Sequence, residues 1–243
     1  MQLARHSSFL LHTRLTPASS LFVAIRRRPS PAAKLSSTVR TMAQTDAQMR
    51  FKNPALFVCD LQEKFRNAIY EFDKVVTTTE KLLAFAKAAS IPVRVTTQTV
   101  AKLGPTVPSI AAHLTSITPV DKTRFSMAVP EVVAGLAPGS QVALVGIESH
   151  ICITQTALDL RDAGHHVYVL ADGVSSCNRQ EVVVALDRLR AEDGVSVTSS
   201  ESWMYECLGD ASHPAFKPLI AIVKGAGDNT KKVLESLPPM PKI

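Results

Sequence analysis

The sequence predicts an α/β protein built on a parallel sheet with helices on both faces. Three observations carry this expectation. Six short apolar runs of strand length alternate with stretches of helical period. Several of the runs are continuously apolar, as strands buried on both faces must be. Right-handed crossovers between parallel neighbours then leave a doubly wound, three-layer α/β/α sandwich.

The first strand is Ala55-Leu56-Phe57-Val58-Cys59, which ends at Asp60. Val75 to Ala89 follows as an amphipathic helix, with Val76, Leu82, Leu83, Phe85 and Ala86 supplying apolar positions. Pro92 to Thr97 is the second strand, and Gly104-Pro105 and Pro108 mark the loop after it. Ser116 to Lys122 holds a short third strand, and Pro130 to Leu136 suits a short helix that stops before Pro138-Gly139. The fourth strand is Val142 to Val145. Gly146-Ile147-Glu148-Ser149-His150 then turns the chain. From Cys152, the residues Ile153, Thr156, Ala157 and Leu160 recur at helical spacing, to about Ala163. His166 to Leu170 is the fifth strand and ends in the turn signal Ala171-Asp172-Gly173. Gln180 to Ala191 is a further amphipathic helix, Val195 to Thr198 the sixth strand, and Pro214 to Val223 a last short helix. Gly225-Ala226-Gly227 opens a tail on which no structure is forced. The domain organisation expected is a leader at 1–50, a folded domain at 51–224 and a C-terminal tail at 225–243.

Of the 27 basic residues, seven fall in residues 1–45 together with none of the 21 acidic ones, so the net charge of +6 belongs to the leader and the remainder stands at −1. A near-neutral folded part argues against nucleic acid as a partner. The Arg- and Ser-rich, acid-free leader has the composition of an organellar transit peptide, which predicts a mitochondrial matrix address, or a cytoplasmic one if Met42 is the real start. No stretch of roughly 18 apolar residues is present, so no membrane helix is expected. Cys59, Cys152, Cys177 and Cys207 show no metal-ligand spacing, and in either compartment they are expected as free thiols.

The topology has a chemical corollary. Residues just after parallel strands gather at one edge of the sheet, where ligands of open α/β folds bind. Here those are Asp60, Thr97-Gln98, Lys122, the Gly146 to Cys152 turn, and Asp172. Taken singly, each has an ordinary reading: Asp60 as a turn cap, Lys122 as a solvated charge, Cys152 as a small buried residue in a first helical turn. Together they supply a working set. A thiol attacks as thiolate, an ammonium favours the anion, and a carboxylate can take the thiol proton and later activate water. Backbone amides near Ser149 to Cys152 can hold an oxyanion. His150 sits two residues from Cys152 and faces elsewhere on a helix, so it is assigned to the pocket rather than to a Cys/His pair. The absence of GxGxxG, GxxxxGK and any metal motif predicts neither cofactor nor metal.

Three segments, Phe57-Val58-Cys59-Asp60-Leu61-Gln62-Glu63-Lys64-Phe65, Val120-Asp121-Lys122-Thr123-Arg124-Phe125-Ser126 and Gly146-Ile147-Glu148-Ser149-His150-Ile151-Cys152-Ile153, resemble the isochorismatase-like hydrolases, and within them the eukaryotic isochorismatase domain-containing proteins. The resemblance runs from about Pro54 to Val223. It implies strand order 3-2-1-4-5-6, a catalytic trio of Asp60 as general base, Lys122 as its charged partner and Cys152 as nucleophile, and assembly as a homo-oligomer, dimer or tetramer. It also implies a cis peptide at Ile147-Glu148 beside an oxyanion site formed by Ile147, Glu148, Ser149 and Ile151. Phe65, Gln98, Phe125 and His150 are the expected pocket residues. The Asp-x-His metal motif of zinc-bearing nicotinamidases is missing. The functional expectation is a hydrolase of a small amide, carbamoyl or related compound. The competing expectation is a catalytically idle oligomeric binding protein of the same fold.

Overall fold

The computed structural model describes residues 48–240. The expected transit segment and Met42 lie outside the described residues. The six strands are β1 (Pro54–Cys59), β2 (Val93–Gln98), β3 (Val120–Lys122), β4 (Gln141–Ile147), β5 (His166–Ser175) and β6 (Val195–Thr198). They form one sheet in the order β3-β2-β1-β4-β5-β6, with every neighbouring pair parallel. The helices are α1 (Phe72–Ala88), α2 (Val100–Leu103), α3 (Pro108–Ala111), α4 (Pro130–Val133), α5 (Thr154–Asp162), α6 (Arg179–Arg190), α7 (Ser200–Leu208) and α8 (Phe216–Leu234).

The pleat of β1 divides the core. Leu56 and Val58 point to the face covered by α1, α7 and α8, where they join Leu82, Phe85, Trp203 and Leu219. Ala55, Phe57 and Cys59 point to the opposite face and join Val132 of α4, Ile153, Leu160 of α5, and Leu186 of α6. Both faces are therefore dry, which is why β1 reads as an unbroken apolar run. No described helix is long and apolar enough to cross a membrane.

Four features differ from the sequence expectation. Strand β5 continues through Ala171-Asp172-Gly173 to Ser175, with a register shift against β4 between Leu144 and Gly146. The turn signal there is an irregularity inside a strand. Helix α7, not expected from the sequence, is opened by Ser199, whose side chain accepts from the Ser202 N–H at 3.2 Å. Helix α8 runs through Gly225 and Gly227, so the boundary at 224/225 falls inside a helix. Each glycine costs a helix about 1 kcal/mol relative to alanine. Docking offsets this: Leu219 and Val233 are buried, α8 packs along α1, and Lys81 Nζ donates to Thr230 Oγ1 at 3.1 Å. Beyond the helix, Leu237 is buried in the same core, and Lys74 Nζ donates to Ser236 Oγ at 2.7 Å. At the other end, the Arg50 N–H donates to the Cys207 carbonyl at 3.0 Å, so the chain pairs with the fold one residue before the expected start at 51.

Candidate active site

The site is built where β1, β3 and β4 end. After Cys59 the chain turns at Asp60, whose φ of 52° lies in the left-handed region that aspartate tolerates better than most residues. That turn sets the Asp60 carboxylate over the strand ends, 1% exposed. Lys122, the last residue of β3, reaches across β2 and donates from Nζ to Asp60 Oδ2 at 2.7 Å. Thr96 of β2, the register partner of Cys59, donates its hydroxyl to Asp60 Oδ1 at 2.7 Å. Both carboxylate oxygens are thus held.

The Lys122 ammonium also donates to Gln98 Oε1 at 2.8 Å and to the carbonyls of Arg124 and Phe125 at 3.1 and 3.2 Å. Three protons serve four acceptors, which pins the loop after β3 around the charge. Burial alone would pull the ammonium down. The charges of Cys59, Asp60 and Cys152 and the hydrogen bond to Asp60 outweigh it, and the group is held above the usual lysine value.

Cys152 arrives from β4. Gly146 makes this possible: its φ is 114°, and a Cβ there would stand 2.1 Å from the Cys59 carbonyl oxygen. Strand β4 can therefore run hard against the end of β1. The Ile147–Glu148 peptide is cis. Ser149–Ile153 then forms a π-helical turn, and α5 begins only at Thr154. Cys152 sits in that π turn rather than at the start of an α-helix, which corrects the sequence expectation. One sulfur of Cys152, one of Cys59 and a carboxylate oxygen of Asp60 all lie within 4.8 Å of one another. Cys152 is 7% exposed and Lys122 5%.

The expected oxyanion residues divide. The Ile151 N–H donates to the Glu148 carbonyl at 3.1 Å, and so does that of Ile153. Ile151 is therefore committed within the turn, contrary to its expected role as a donor. The Ser149 hydroxyl is buried and has no hydrogen-bond partner among the described residues. Of the expected pocket residues, Gln98 touches Lys122 directly, and the Phe125 carbonyl does so while its ring is 52% exposed. His150 Nδ1 lies 2.9 Å from Ser176 Oγ, so its ring is held by the residue that follows β5. Phe65 packs against the core cluster containing Leu61, Ile69 and Phe72. Asp172 leaves the site altogether. The β5 irregularity turns it toward α7, where its carboxylate accepts from the Ser200 N–H at 2.7 Å and from the Ser200 hydroxyl.

Three contributors escaped the sequence reading. Cys59 looked like one more apolar strand residue, yet its thiol faces Asp60 Oδ2 at 3.5 Å. Burial, a hydrogen bond with Cys152 and the Asp60 charge push that thiol well above its usual value. Thr96 was legible only through the register of β1 on β2. Gln62 is fully buried, donates to the Gln98 and Gly104 carbonyls at 3.2 and 2.6 Å, and accepts from the Gln98 N–H at 2.7 Å. It ties the loop after β1 to the end of β2. A cleft of about 300 Å³ lies at the opposite end of the sheet, lined by Asn53, Pro54, Ile91, Pro92 and Ser140. It touches none of these groups.

Comparison with known proteins agrees with this fold. The Isochorismatase domain family matches residues 54–202. The chain is 42% identical to isochorismatase domain-containing protein 2 of Bos taurus, over 70% of this chain and 82% of that protein. It is 40% identical to the secreted isochorismatase effector Isc1 of Phytophthora sojae, over 70% of this chain and 83% of that protein. Among solved structures, the MAR1 ribonuclease from Caenorhabditis elegans superposes with a TM-score of 0.68 at 37% identity, covering 73% of this chain and 93% of that one. The chain belongs to the isochorismatase domain family.

Proposed function

We propose that this chain is a cysteine hydrolase of a small amide, carbamoyl or related substrate, working through Cys152, Asp60 and Lys122. The observation that carries the reading is the approach of the Cys152 sulfur, within 4.8 Å, to a buried carboxylate that is itself clamped by an ammonium at 2.7 Å. In the first half-reaction the Cys152 thiol proton passes to Asp60, and the sulfur attacks the substrate carbonyl carbon. Charge on the carbonyl oxygen is met by the Cys152 amide of the turn, with the unpartnered Ser149 hydroxyl as a further donor. The C–N bond then breaks, and the amine leaves with the proton held by Asp60. In the second half-reaction Asp60 takes a proton from water, the hydroxide attacks the acyl–sulfur carbon, the C–S bond breaks to free the acid, and the proton on Asp60 returns to the Cys152 sulfur. Lys122 keeps the carboxylate paired throughout and is a positioning residue.

The test is a screen of small amides and carbamoyl compounds against the intact chain and its Cys152→Ser and Cys152→Ala variants. Turnover by the intact chain, an acyl adduct of Cys152 seen by intact-mass measurement, and loss of at least about 100-fold in the variants are expected. Full turnover by Cys152→Ala would overturn the mechanism. An electrophilic thiol probe that labels Cys152 no faster than Cys207 would favour the idle binding protein. A second reading has one observation in its favour, the likeness to a protein named as a ribonuclease. Degradation of a labelled RNA that survives Cys152→Ala and Asp60→Asn would move the function to that class. The homo-oligomer, the small-molecule partner and the mitochondrial address stand as parts of the same proposal, tested by light scattering, by the screen and by imaging of the tagged full chain.

A further inference from the structure

A second cluster lies on the far side of the same π turn. Glu148, at the cis peptide, His150, in the turn, and Cys177, just past β5, each bring one ligand atom within 4.8 Å of the others. Their chemistry differs from that of the buried trio. Cys177 is exposed, while Glu148 and His150 are half-buried, so one side of the cluster faces solvent. Among the described residues no lysine or arginine pairs with Glu148. In the buried cluster of Cys59, Asp60 and Cys152, by contrast, the Lys122 ammonium already occupies the place of a cation.

The geometry points to a zinc(II) site, with the Cys177 thiolate, a His150 ring nitrogen and a Glu148 carboxylate oxygen as ligands and water in the fourth position. Zinc bonds of about 2.0–2.3 Å to nitrogen, oxygen and sulfur place tetrahedral ligand atoms roughly 3.4–3.6 Å apart. The cluster must therefore close by about 1 Å, which an exposed cysteine and a half-buried carboxylate can supply by rotation. A thiolate, imidazole and carboxylate set suits zinc and excludes magnesium and calcium, which take oxygen ligands. The surrounding contacts are those of held ligands: Ser176 Oγ lies 2.9 Å from His150 Nδ1, and the Cys177 N–H donates to Glu148 Oε2 at 2.8 Å. Sequence spacing hides this set, because 29 positions separate Glu148 from Cys177 and the parallel β4–β5 pairing alone joins them.

The experiment titrates zinc and cobalt(II) into the reduced full chain against a chromophoric chelator. One zinc per chain is expected, with a thiolate-to-cobalt charge-transfer band in the near ultraviolet. Cys177→Ser abolishes the band and weakens zinc binding by at least about 100-fold, and Glu148→Gln and His150→Ala each weaken it by about 10-fold or more. Circular dichroism checks that each variant is folded. Absence of any band in the intact chain overturns the site. A band that survives Cys177→Ser and vanishes in Cys152→Ser overturns it in favour of the buried cluster. Both readouts are independent of any substrate, so they hold or fail separately from the proposed hydrolase.

Discussion

Two cysteine-and-acid clusters flank one π turn, and they are wired in opposite ways. On the buried side, Asp60 and Cys152 share their space with Lys122, and the ion pair has side chains 1% and 2% exposed. On the open side, Glu148 accepts from the Cys177 N–H at 2.8 Å, and no lysine or arginine among the described residues pairs with it. Burial explains the difference. A carboxylate taken out of water needs a fixed counter-charge, and the end of β3 delivers one. A carboxylate at the surface is already solvated and can leave its cation to solution. The same pair of residue types is therefore proposed as a proton relay in one place and as a cation site in the other. What decides is the neighbour, not the thiol or the acid.

The largest effect comes from breaking the buried side. Lys122→Met leaves the Asp60 carboxylate buried without its partner, and a loss of about 3–5 kcal/mol of stability is expected. Urea unfolding measures it. The Lys122→Met, Asp60→Leu double variant should recover most of that loss, and equal destabilisation in the single and double variants would show that the pair is not a closed unit.

A smaller effect separates the two sides by pH. The fold holds the Cys59 thiol protonated well above the usual 9.0. As pH rises past about 9 the unfolded chain sheds this proton and the folded chain keeps it, so the unfolded state gains. The contribution is complete below pH 9 and is lost as pH climbs toward the folded value. Cys207, pushed up to about 12 by burial, and Lys122, raised above 10.5, add to the same slope. The urea midpoint should therefore fall steadily above pH 9, and Cys59→Ala with Cys207→Ala should flatten the decline. A midpoint flat to pH 11 in the intact chain contradicts this.

The smallest effect is on the open side. Cys177→Ser should change stability by less than about 0.5 kcal/mol, because the side chain is exposed. A measured loss above 1 kcal/mol would mean that the open cluster is structural, and the contrast with the buried one would narrow.

Much of the fold was legible in the sequence, for reasons that can be named. Strands buried on both faces must be apolar throughout, so β1 and β4 announced themselves. Asp60, Lys122 and Cys152 followed because parallel strands send their ends to one edge. The start of α7 is also written in the sequence, in Ser199 ahead of the apolar Trp203, Met204 and Cys207. Other features were not. The glycines of α8 read as loop until a packed face on α1 overrides them. Asp172 read as a site residue until the β5 irregularity turned it to cap α7.

By itself, then, the sequence determined the parallel sheet, its two covered faces, and the arrival of Asp60, Lys122 and the Gly146 to Cys152 turn at one edge of it. Periodicity and strand direction are local properties, and the chain carries them in order. Only the tertiary structure decided what those residues meet there. It set Thr96 on Asp60 through the β1–β2 register and brought Cys59 against Cys152 through the closeness that Gly146 permits. It also gathered Glu148, His150 and Cys177 around one point. Contacts of this kind depend on ångström-scale register between distant segments, and no pattern along the chain encodes that distance.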